Sequence, residues 1–209
     1  MKDVNIDVNI MVGRTQPFTL GHQSILEALY KENKYPTVLC LIHNTKFDAK
    51  HPFSDELIKK EIDTCLKGKD FYQDTIWVKN AAIDKIGEAL KEKGYSAHLW
   101  GCGTDREKMY KAMASNKKYL KDFPEDFKVF VIDRDETSSA VDGISATKVR
   151  QAIKDDDKGA FVKMMPDGAQ KLFDGFKEEL SKINESKVNE NIACSLENYV
   201  ENDNLFDID

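Results

Sequence analysis

The sequence predicts an α/β fold, a Rossmann-like open parallel sheet with helices on both faces. Two observations predict it. Short apolar segments rich in β-branched residues alternate with segments whose apolar residues recur at helical spacing, and the connections between them are short. Chains with this alternation form open, mostly parallel sheets whose ligands bind beyond the carboxyl ends of the strands. We therefore expect functional residues in the loops that follow strands.

The predicted strands are short runs that end at glycine or polar residues. Asn5 to Val12 alternates polar and apolar residues before it becomes apolar, and it stops at Gly13. Thr37 to Ile42 is a β-rich apolar run that begins just after Pro36, as in a buried parallel strand. The remaining predicted strands are Thr75 to Val78, Ala97 to Trp100 and Phe127 to Asp133.

Predicted helices occupy the intervals between these strands. Apolar residues share one face of a helix that begins near Leu20 and runs to about Asn33. Ser54 is a favourable N-cap for a helix that extends through Leu66. The later predicted helices are Ile83 to Lys93, Asp105 to Ala114 and Ser145 to Ile153.

We expect three parts in the chain: an α/β domain over residues 1–157, C-terminal helices over 158–186 that pack on it, and an acidic tail over 187–209. Helical spacing of apolar residues continues through the second part. The last fifteen residues carry five Asp and Glu residues and no Lys or Arg, which predicts a flexible tail. Apolar residues in the tail leave open a short peptide that docks on a protein partner. Whether the chain forms a homo-oligomer is also left open.

The overall composition excludes several classes of function. A chain of 209 residues with 41% hydrophobic residues can bury one substantial core, and its formal net charge of -6 disfavours a protein that mainly binds nucleic acid. The four cysteines lie far apart without a CxxC pair, so we expect neither a protein metal site nor disulfides, and a reducing cytoplasm fits best. The N-terminal residues lack the long apolar run of a signal peptide or membrane span, so we expect no membrane association.

The segment from Gly13 to His22 joins the first predicted strand to the first helix, where open α/β sheets bind phosphate. Free N–H groups at a helix start suit a polyphosphate chain. Gly13 is expected to allow an unusual backbone angle and Gly21 a close approach to the ligand. Thr19 and His22 are three residues apart and share one side of the first turn. Each of these residues alone also fits an ordinary turn before a helix.

This loop resembles the signature of the HxGH-type nucleotidyltransferase superfamily, most closely its nicotinamide mononucleotide adenylyltransferase branch, whose loop commonly reads GRFQPxHxGH. Thr15 stands where Phe is usual. Thr19 stands where the first His is usual, which resembles the TxGH form of phosphopantetheine adenylyltransferases. The resemblance spans about Ile6 to Ile153. It implies nucleotide contacts from Gly13, Thr15, Gln16 and Gly21, and catalytic contacts to the phosphates from Arg14, Thr19 and His22.

A second phosphate-type helix start follows Gly143. Ser145 can cap the helix, and the free amides of its first turn can face an anion. The segment from Ile144 to Arg150, Ile-Ser-Ala-Thr-Lys-Val-Arg, resembles the ISSTxxR motif of the same superfamily. The cytidylyltransferase form usually reads RTxGISTT, whereas the terminal Arg is typical of adenylyltransferases. The resemblance implies triphosphate contacts from Ile144, Ser145 and Thr147, and positive charge near the leaving pyrophosphate from Lys148 and Arg150. A capped helix with a solvated Lys and Arg is the alternative.

The residues after the fourth predicted strand carry a weaker signal. The segment from Gly101 to Arg106, Gly-Cys-Gly-Thr-Asp-Arg, resembles the family's glycine-and-aspartate loop near the nucleoside, which implies contacts from Gly101, Gly103 and Asp105. It lacks a third glycine, so a dinucleotide dehydrogenase is not supported. A glycine turn with Asp105 as a helix cap is the alternative.

Five further residues are candidates for substrate binding. Lys46, Lys50 and His51 precede Ser54 in a segment that resembles the second-strand loop of nicotinamide mononucleotide adenylyltransferases, although a basic surface loop is a nearly equal alternative. Trp77 and Trp100 are candidates to stack on a base or pyridine ring, although a tryptophan in a strand more often belongs to the core.

These patterns predict an adenylyltransferase that transfers AMP from ATP to a phosphorylated acceptor and releases pyrophosphate. The resemblance favours nicotinamide mononucleotide as acceptor, forming NAD, with Mg²⁺ bound largely by the phosphates. A phosphate nucleophile is already ionised near neutral pH, so the site needs positioning and charge stabilisation rather than a general base. Two alternatives remain: a cytidylyltransferase acting on a phosphorylated alcohol, and a non-catalytic nucleotide-binding protein with a structural or regulatory role.

Overall fold

The computed structural model describes residues 5–132 and 143–183. Its strands are Ile6–Gly13 (β1), Thr37–Ile42 (β2), Tyr72–Val78 (β3), Tyr95–Gly103 (β4) and Lys128–Ile132 (β5). Its helices are Leu20–Asn33 (α1), Asp55–Leu66 (α2), Ile83–Glu92 (α3), Glu107–Ala114 (α4), Ala146–Lys154 (α5) and Lys158–Met164 (α6). Residues 173–183 are also helical and are called α7.

The strands form a parallel sheet in the order β3-β2-β1-β4-β5. β1 lies in the centre, where Val12 pairs with Cys40 of β2 and Ile10 pairs with Trp100 of β4. The chain runs outward through β2 and β3 and then crosses to the other side of β1. The strand order therefore reverses between β1 and β4, and ligands of open α/β sheets bind in the crevice at such a reversal. The predicted Rossmann-like α/β fold is confirmed.

β1 is buried on both faces, as expected of a strand whose sheet is covered by helices. Val8, Ile10 and Val12 belong to an apolar cluster with residues of α3 and α4. Met11 belongs to the opposite cluster, with residues of α1, α2 and the C-terminal helices. The carboxyl end of β1 is thus held from both sides where the chain enters the first loop.

Two strands are longer than predicted. β3 begins at Tyr72, and β4 continues to Gly103. The end of β4 is paired with β5, since Cys102 lies opposite Val131. Gly101 therefore belongs to a paired strand, and its prediction as a loop residue is wrong.

The C-terminal helices share a core with the sheet. Phe161 of α6 and Phe176 of α7 belong to the same apolar cluster as Phe18 in the first loop. The predicted acidic tail lies outside the described residues. In the described parts of the chain, no helix combines the length and apolar character needed to cross a bilayer. Cys40, Cys65 and Cys102 are buried free thiols.

Candidate active site

A cavity of about 710 Å³ opens at the carboxyl end of the sheet. The ends of β1, β2, β3 and β4 contribute to its wall, together with the start of α5. It extends to both sides of β1 and so occupies the reversal of strand order, where ligands are expected. Its volume falls in the range of small-molecule sites.

The first predicted loop enters this cavity from β1. Its lining residues include Gly13, Arg14, Thr15, Gln16 and His22. The unusual backbone angle is at Thr15, with φ of 38°, and not at Gly13, where it was predicted. A side chain at Gly13 would meet no neighbour within 4 Å. Since positive φ is strained for a β-branched residue, the loop has the kind of strain that clusters at functional sites.

The Gln16 side chain clamps this loop to the segment before α2. Its Oε1 accepts a hydrogen bond from the Phe53 backbone N–H at 2.9 Å, and its Nε2 donates to the Phe53 carbonyl at 3.0 Å. Both ends of the buried amide are used in this clamp. The Gln16 side chain therefore has a structural role in the loop, whereas its contact with nucleotide stays a prediction.

His22 stands in the first turn of α1 with Nδ1 engaged. That nitrogen accepts from the Thr19 backbone N–H at 3.0 Å, and the Thr19 hydroxyl lies 3.2 Å from it. In the neutral ring the proton is therefore on Nε2, which becomes a hydrogen-bond donor. Thr19 is only 2% exposed and does not line the cavity. Thr19 thus supports the His22 ring from behind, and its part in phosphate binding stays a prediction.

The second predicted signature reaches the same cavity. Ser145 caps α5 as predicted, because its hydroxyl accepts from the Lys148 backbone N–H at 3.3 Å. The cavity wall at this helix start consists of Ala146, Thr147 and Arg150. The exposed Lys148 side chain lies against Gly143, outside that wall. Its contact with a leaving pyrophosphate stays a prediction.

The two signatures are in direct contact. Arg150 donates from one guanidinium nitrogen to the Gln16 carbonyl at 2.5 Å and from another to the Thr147 hydroxyl at 3.1 Å. Burial lowers the pKa of Arg150, which remains a cation at neutral pH. A Cβ on Gly21 would lie 3.4 Å from the Ile144 carbonyl oxygen. Neither Gly21 nor Ile144 lines the cavity, so this glycine serves the contact between two helix starts rather than the predicted approach to a ligand.

The segment between β2 and α2 adds a basic edge to the cavity. Asp48 accepts hydrogen bonds from the backbone N–H groups of His51 and Lys50, which lower the pKa of its carboxyl. The His51 ring lies 3.3 Å from Asp48 through Nδ1 and 3.4 Å from Arg14 through Nε2. Lys50 and His51 line the cavity, whereas Lys46 is exposed outside its wall.

Gly101 and Gly103 form part of the cavity wall at the end of β4. A Cβ on Gly101 would lie 2.6 Å from Leu29 and 2.9 Å from Ile25. This glycine therefore lets α1 pack on β4. Asp105 lines the cavity, and the start of α4 has no side-chain cap, so the alternative of Asp105 as a helix cap is not observed.

Neither tryptophan lines the cavity. Trp100 is fully buried and stacks on Tyr110 with ring centroids 4.1 Å apart, so its predicted contact with substrate is wrong. Trp77 stacks on His43 at 5.3 Å, away from the cavity wall. The Tyr110 ring does line the cavity, and its hydroxyl donates to the Val12 carbonyl at 3.1 Å.

Sequence reasoning missed cavity residues on both sides of β1. They are Lys79, Asn80 and Ala81 after β3, and Arg106, Met109, Tyr110 and Met113 at and beyond the start of α4. The sequence could have predicted them, because the carboxyl ends of parallel strands meet at one edge of a sheet and the residues that follow each strand lie at that edge.

Glu61 of α2 is a buried acid beneath the first loop. Its Oε2 accepts from the Phe18 backbone N–H at 3.0 Å, and its Oε1 has no hydrogen-bond partner. Burial raises the pKa of Glu61 well above its ordinary value, which the bond from Phe18 opposes only in part. The neutral acid is therefore favoured. Its position was readable from the sequence, since Glu61 shares a helix face with Ile58 and Cys65.

The cavity is basic although the whole chain carries a formal net charge of -6. Its cationic lining residues are Arg14, Lys50, Lys79, Arg106 and Arg150. Asp105 is the acidic residue among the described lining residues. No group of three or more metal-binding side chains is found in the described ranges. A site with the start of α5 in its wall and this charge suits a polyanion.

No protein-family model matches the chain, and no curated protein matches it. The solved structures that are similar to it include the following two. Thermotoga maritima TmcAL bound with alpha-thio ATP has a TM-score of 0.51 and 12% identity over 88% of this chain, which spans 56% of that one. Plasmodium falciparum nicotinic acid mononucleotide adenylyltransferase complexed with APC has a TM-score of 0.50 and 15% identity over 86% of this chain and 96% of that one. At these identities the similarity shows a shared fold.

Proposed function

We propose that the chain is a nucleotidyltransferase that transfers AMP from ATP to a phosphorylated acceptor and releases pyrophosphate. The observation that carries this proposal is the meeting of two signature segments at one basic cavity, where Arg150 donates to the Gln16 carbonyl. The first loop, with His22 in the first turn of α1, and the start of α5 face one crevice, where positive charge and the backbone N–H groups at the start of α5 can hold a triphosphate. The names of the two similar structures, one an adenylyltransferase and one bound to an ATP analogue, support the same class.

The reaction needs one bond to form and one to break. An oxygen of the acceptor phosphate attacks the α-phosphorus of ATP in line, and the bond from that phosphorus to the pyrophosphate oxygen breaks. The electron pair leaves with pyrophosphate. Because the nucleophile is an ionised phosphate, no proton has to be removed from it, and the protein positions two anions and stabilises the growing charge.

Three side chains have the geometry for this work. His22 donates from Nε2 to an α-phosphate oxygen, because Nδ1 is held by Thr19. Arg150 and Arg14 lie on the same cavity and neutralise the β- and γ-phosphates. Mg²⁺ enters with ATP as part of the substrate and is bound largely by the phosphates.

The preferred acceptor is nicotinamide mononucleotide, which yields NAD. The support for this acceptor is the resemblance of the first loop to that of nicotinamide mononucleotide adenylyltransferases. A cavity of about 710 Å³ that extends to both sides of β1 also has room for donor and acceptor. Lys50 and Lys79 lie on the β2 and β3 side and are available for the acceptor phosphate.

A substrate panel tests this proposal. The full chain is incubated with Mg²⁺, with ATP or CTP, and with nicotinamide mononucleotide, nicotinic acid mononucleotide or a phosphorylated alcohol, while pyrophosphate release is followed. We expect release with ATP and a pyridine mononucleotide. Release only with CTP and a phosphorylated alcohol would replace the adenylyltransferase proposal by the cytidylyltransferase one. Nucleotide binding without release for every acceptor would contradict enzymatic function.

A further inference from the structure

The C-terminal helix α7 contacts the start of α2 through one carboxylate. Glu179 Oε2 accepts from the Ser54 backbone N–H, and Oε1 accepts from the Ser54 hydroxyl, both at 2.7 Å. In a capping box the third helical residue is a Glu or Gln that binds the N–H of the cap residue. Here the third residue is Leu57, and Glu179 supplies the missing carboxylate from 125 residues away.

The same face of α7 holds the neighbouring residue. The Phe53 ring is fully buried and meets the Phe176 ring edge-on, with centroids 4.8 Å apart. Phe176 and Glu179 are three residues apart and so lie on one side of the helix. α7 therefore grips two consecutive residues, Phe53 by its ring and Ser54 by its backbone and hydroxyl.

A continuous chain of contacts leads from Phe53 to the cavity. The Phe53 backbone N–H and carbonyl are the two partners of the Gln16 side chain. The Gln16 carbonyl is in turn the acceptor for Arg150. A shift of Phe53 therefore moves Gln16, and a shift of Gln16 removes the acceptor that orients the Arg150 guanidinium at the cavity wall.

We propose that Glu179 is a positioning residue for the nucleotide site: through Ser54 and Phe53 it holds Gln16 and Arg150 in place, so that nucleotide affinity depends on the C-terminal helix. The identity of the ligand rests on the proposed function, whereas the mechanical coupling does not. The hydrogen bonds from Ser54 to the Glu179 carboxylate are charge-assisted and partly buried, which makes them stronger than the ion pairs on the exposed face of α7.

Two matched variants test the coupling. Glu179→Gln and Glu178→Gln each remove one negative charge from α7, but Glu178 is exposed and pairs with Lys182 one turn further along. Hydrogen exchange is measured without ligand over residues 14–19 and 53–57, and ATP affinity is measured by calorimetry. We expect Glu179→Gln to accelerate exchange in both segments and to weaken ATP binding by roughly 3- to 10-fold. Glu178→Gln should change neither.

A residue that merely caps α2 gives a different result. Faster exchange confined to residues 53–57, with unchanged ATP affinity, would overturn the proposal. If the unmodified chain binds no ATP, the proposed function fails, and exchange over residues 14–19 alone decides the positioning role: acceleration supports it and no change overturns it. A double-mutant cycle with Gln16→Ala adds a second check, because effects transmitted through Gln16 are non-additive and independent effects add.

Discussion

Replacing Glu61 by Gln tests whether the buried Glu61 carboxyl, which lies beneath the first loop, is neutral in the folded protein. In the folded protein, burial raises the pKa of Glu61 well above its ordinary value of 4.5, and the hydrogen bond from Phe18 opposes this only in part. In the unfolded chain the carboxyl titrates near the ordinary value. Between these two pKa values the folded protein binds more protons than the unfolded chain, so its stability falls as pH rises.

The expected size follows from this difference in bound protons. A full proton corresponds to about 1.4 kcal/mol of unfolding free energy per pH unit. Between about pH 5 and pH 6 the unfolded carboxyl is already mostly ionised, so Glu61 should cost the folded protein at most about 1.2 kcal/mol over that interval, the limit for a carboxyl that stays protonated in the folded protein. This corresponds to a decrease in Tm of roughly 2–5 °C for a chain of this size. The interval lies below the ordinary pKa of His98, 6.5, whose titration therefore contributes little.

The assay is urea unfolding of three proteins across that interval. The Glu61→Gln variant keeps an acceptor for the Phe18 N–H but has no titrating proton, so its stability should lack the Glu61 part of the pH dependence. Asp63→Asn is the matched control, because Asp63 lies on the same helix, is half-exposed and pairs with Lys59 on the surface. It should follow the unmodified chain. Parallel pH profiles for the unmodified chain and Glu61→Gln would refute the reasoning, since they would mean that Glu61 is ionised in the folded protein.

Three further substitutions probe the site and its frame. His22→Ala should lower pyrophosphate-release turnover by about a hundredfold or more, because a preorganised donor to the α-phosphate is lost; near-normal turnover would overturn the assigned role. Gly101→Ala should reduce the free energy of unfolding by about 1–3 kcal/mol, since its Cβ overlaps side chains of α1, and unchanged urea unfolding would contradict this packing. For His98, burial lowers the pKa but hydrogen bonds to Asp126 and Asp7 outweigh it, and the net pKa is raised. The stabilisation that His98 provides is complete below pH 6.5 and is lost as pH rises through the folded pKa. His98→Gln should therefore flatten the dependence of unfolding free energy on pH above about pH 6.5. An equally steep dependence in the variant would argue against the ion pairs.

Much of the fold was readable from local patterns. The predicted bounds of α1 and β2 agree with the structure, because apolar residues at helical spacing define α1, and Pro36 and the polar residue His43 flank the apolar run of β2. The end of β4 was not readable, because Gly101 and Gly103 are typical of turns when taken alone. They belong to a strand here because β5 pairs beside them and α1 packs against Gly101. These are contacts between distant segments.

In the candidate site, too, local patterns predicted the segments but not their contacts with distant residues. The two signatures identified the loops that meet at the cavity, but not which side chains face it. Thr19 faces the His22 ring, Gln16 is used to bind Phe53, and Trp100 is covered by Tyr110. Such orientations are decided by partners far away in sequence, which spacing within one motif does not contain.

The central claim is that the first loop and the start of α5 bind one triphosphate, and hydrogen exchange with and without ATP and Mg²⁺ tests it most directly. We predict that ATP protects the backbone N–H groups of residues 14–16 in the first loop and of residues 146–147 at the start of α5, which line the cavity, over the same range of ATP concentration. Protection of only one of these segments, or of neither at saturating ATP, would contradict the account.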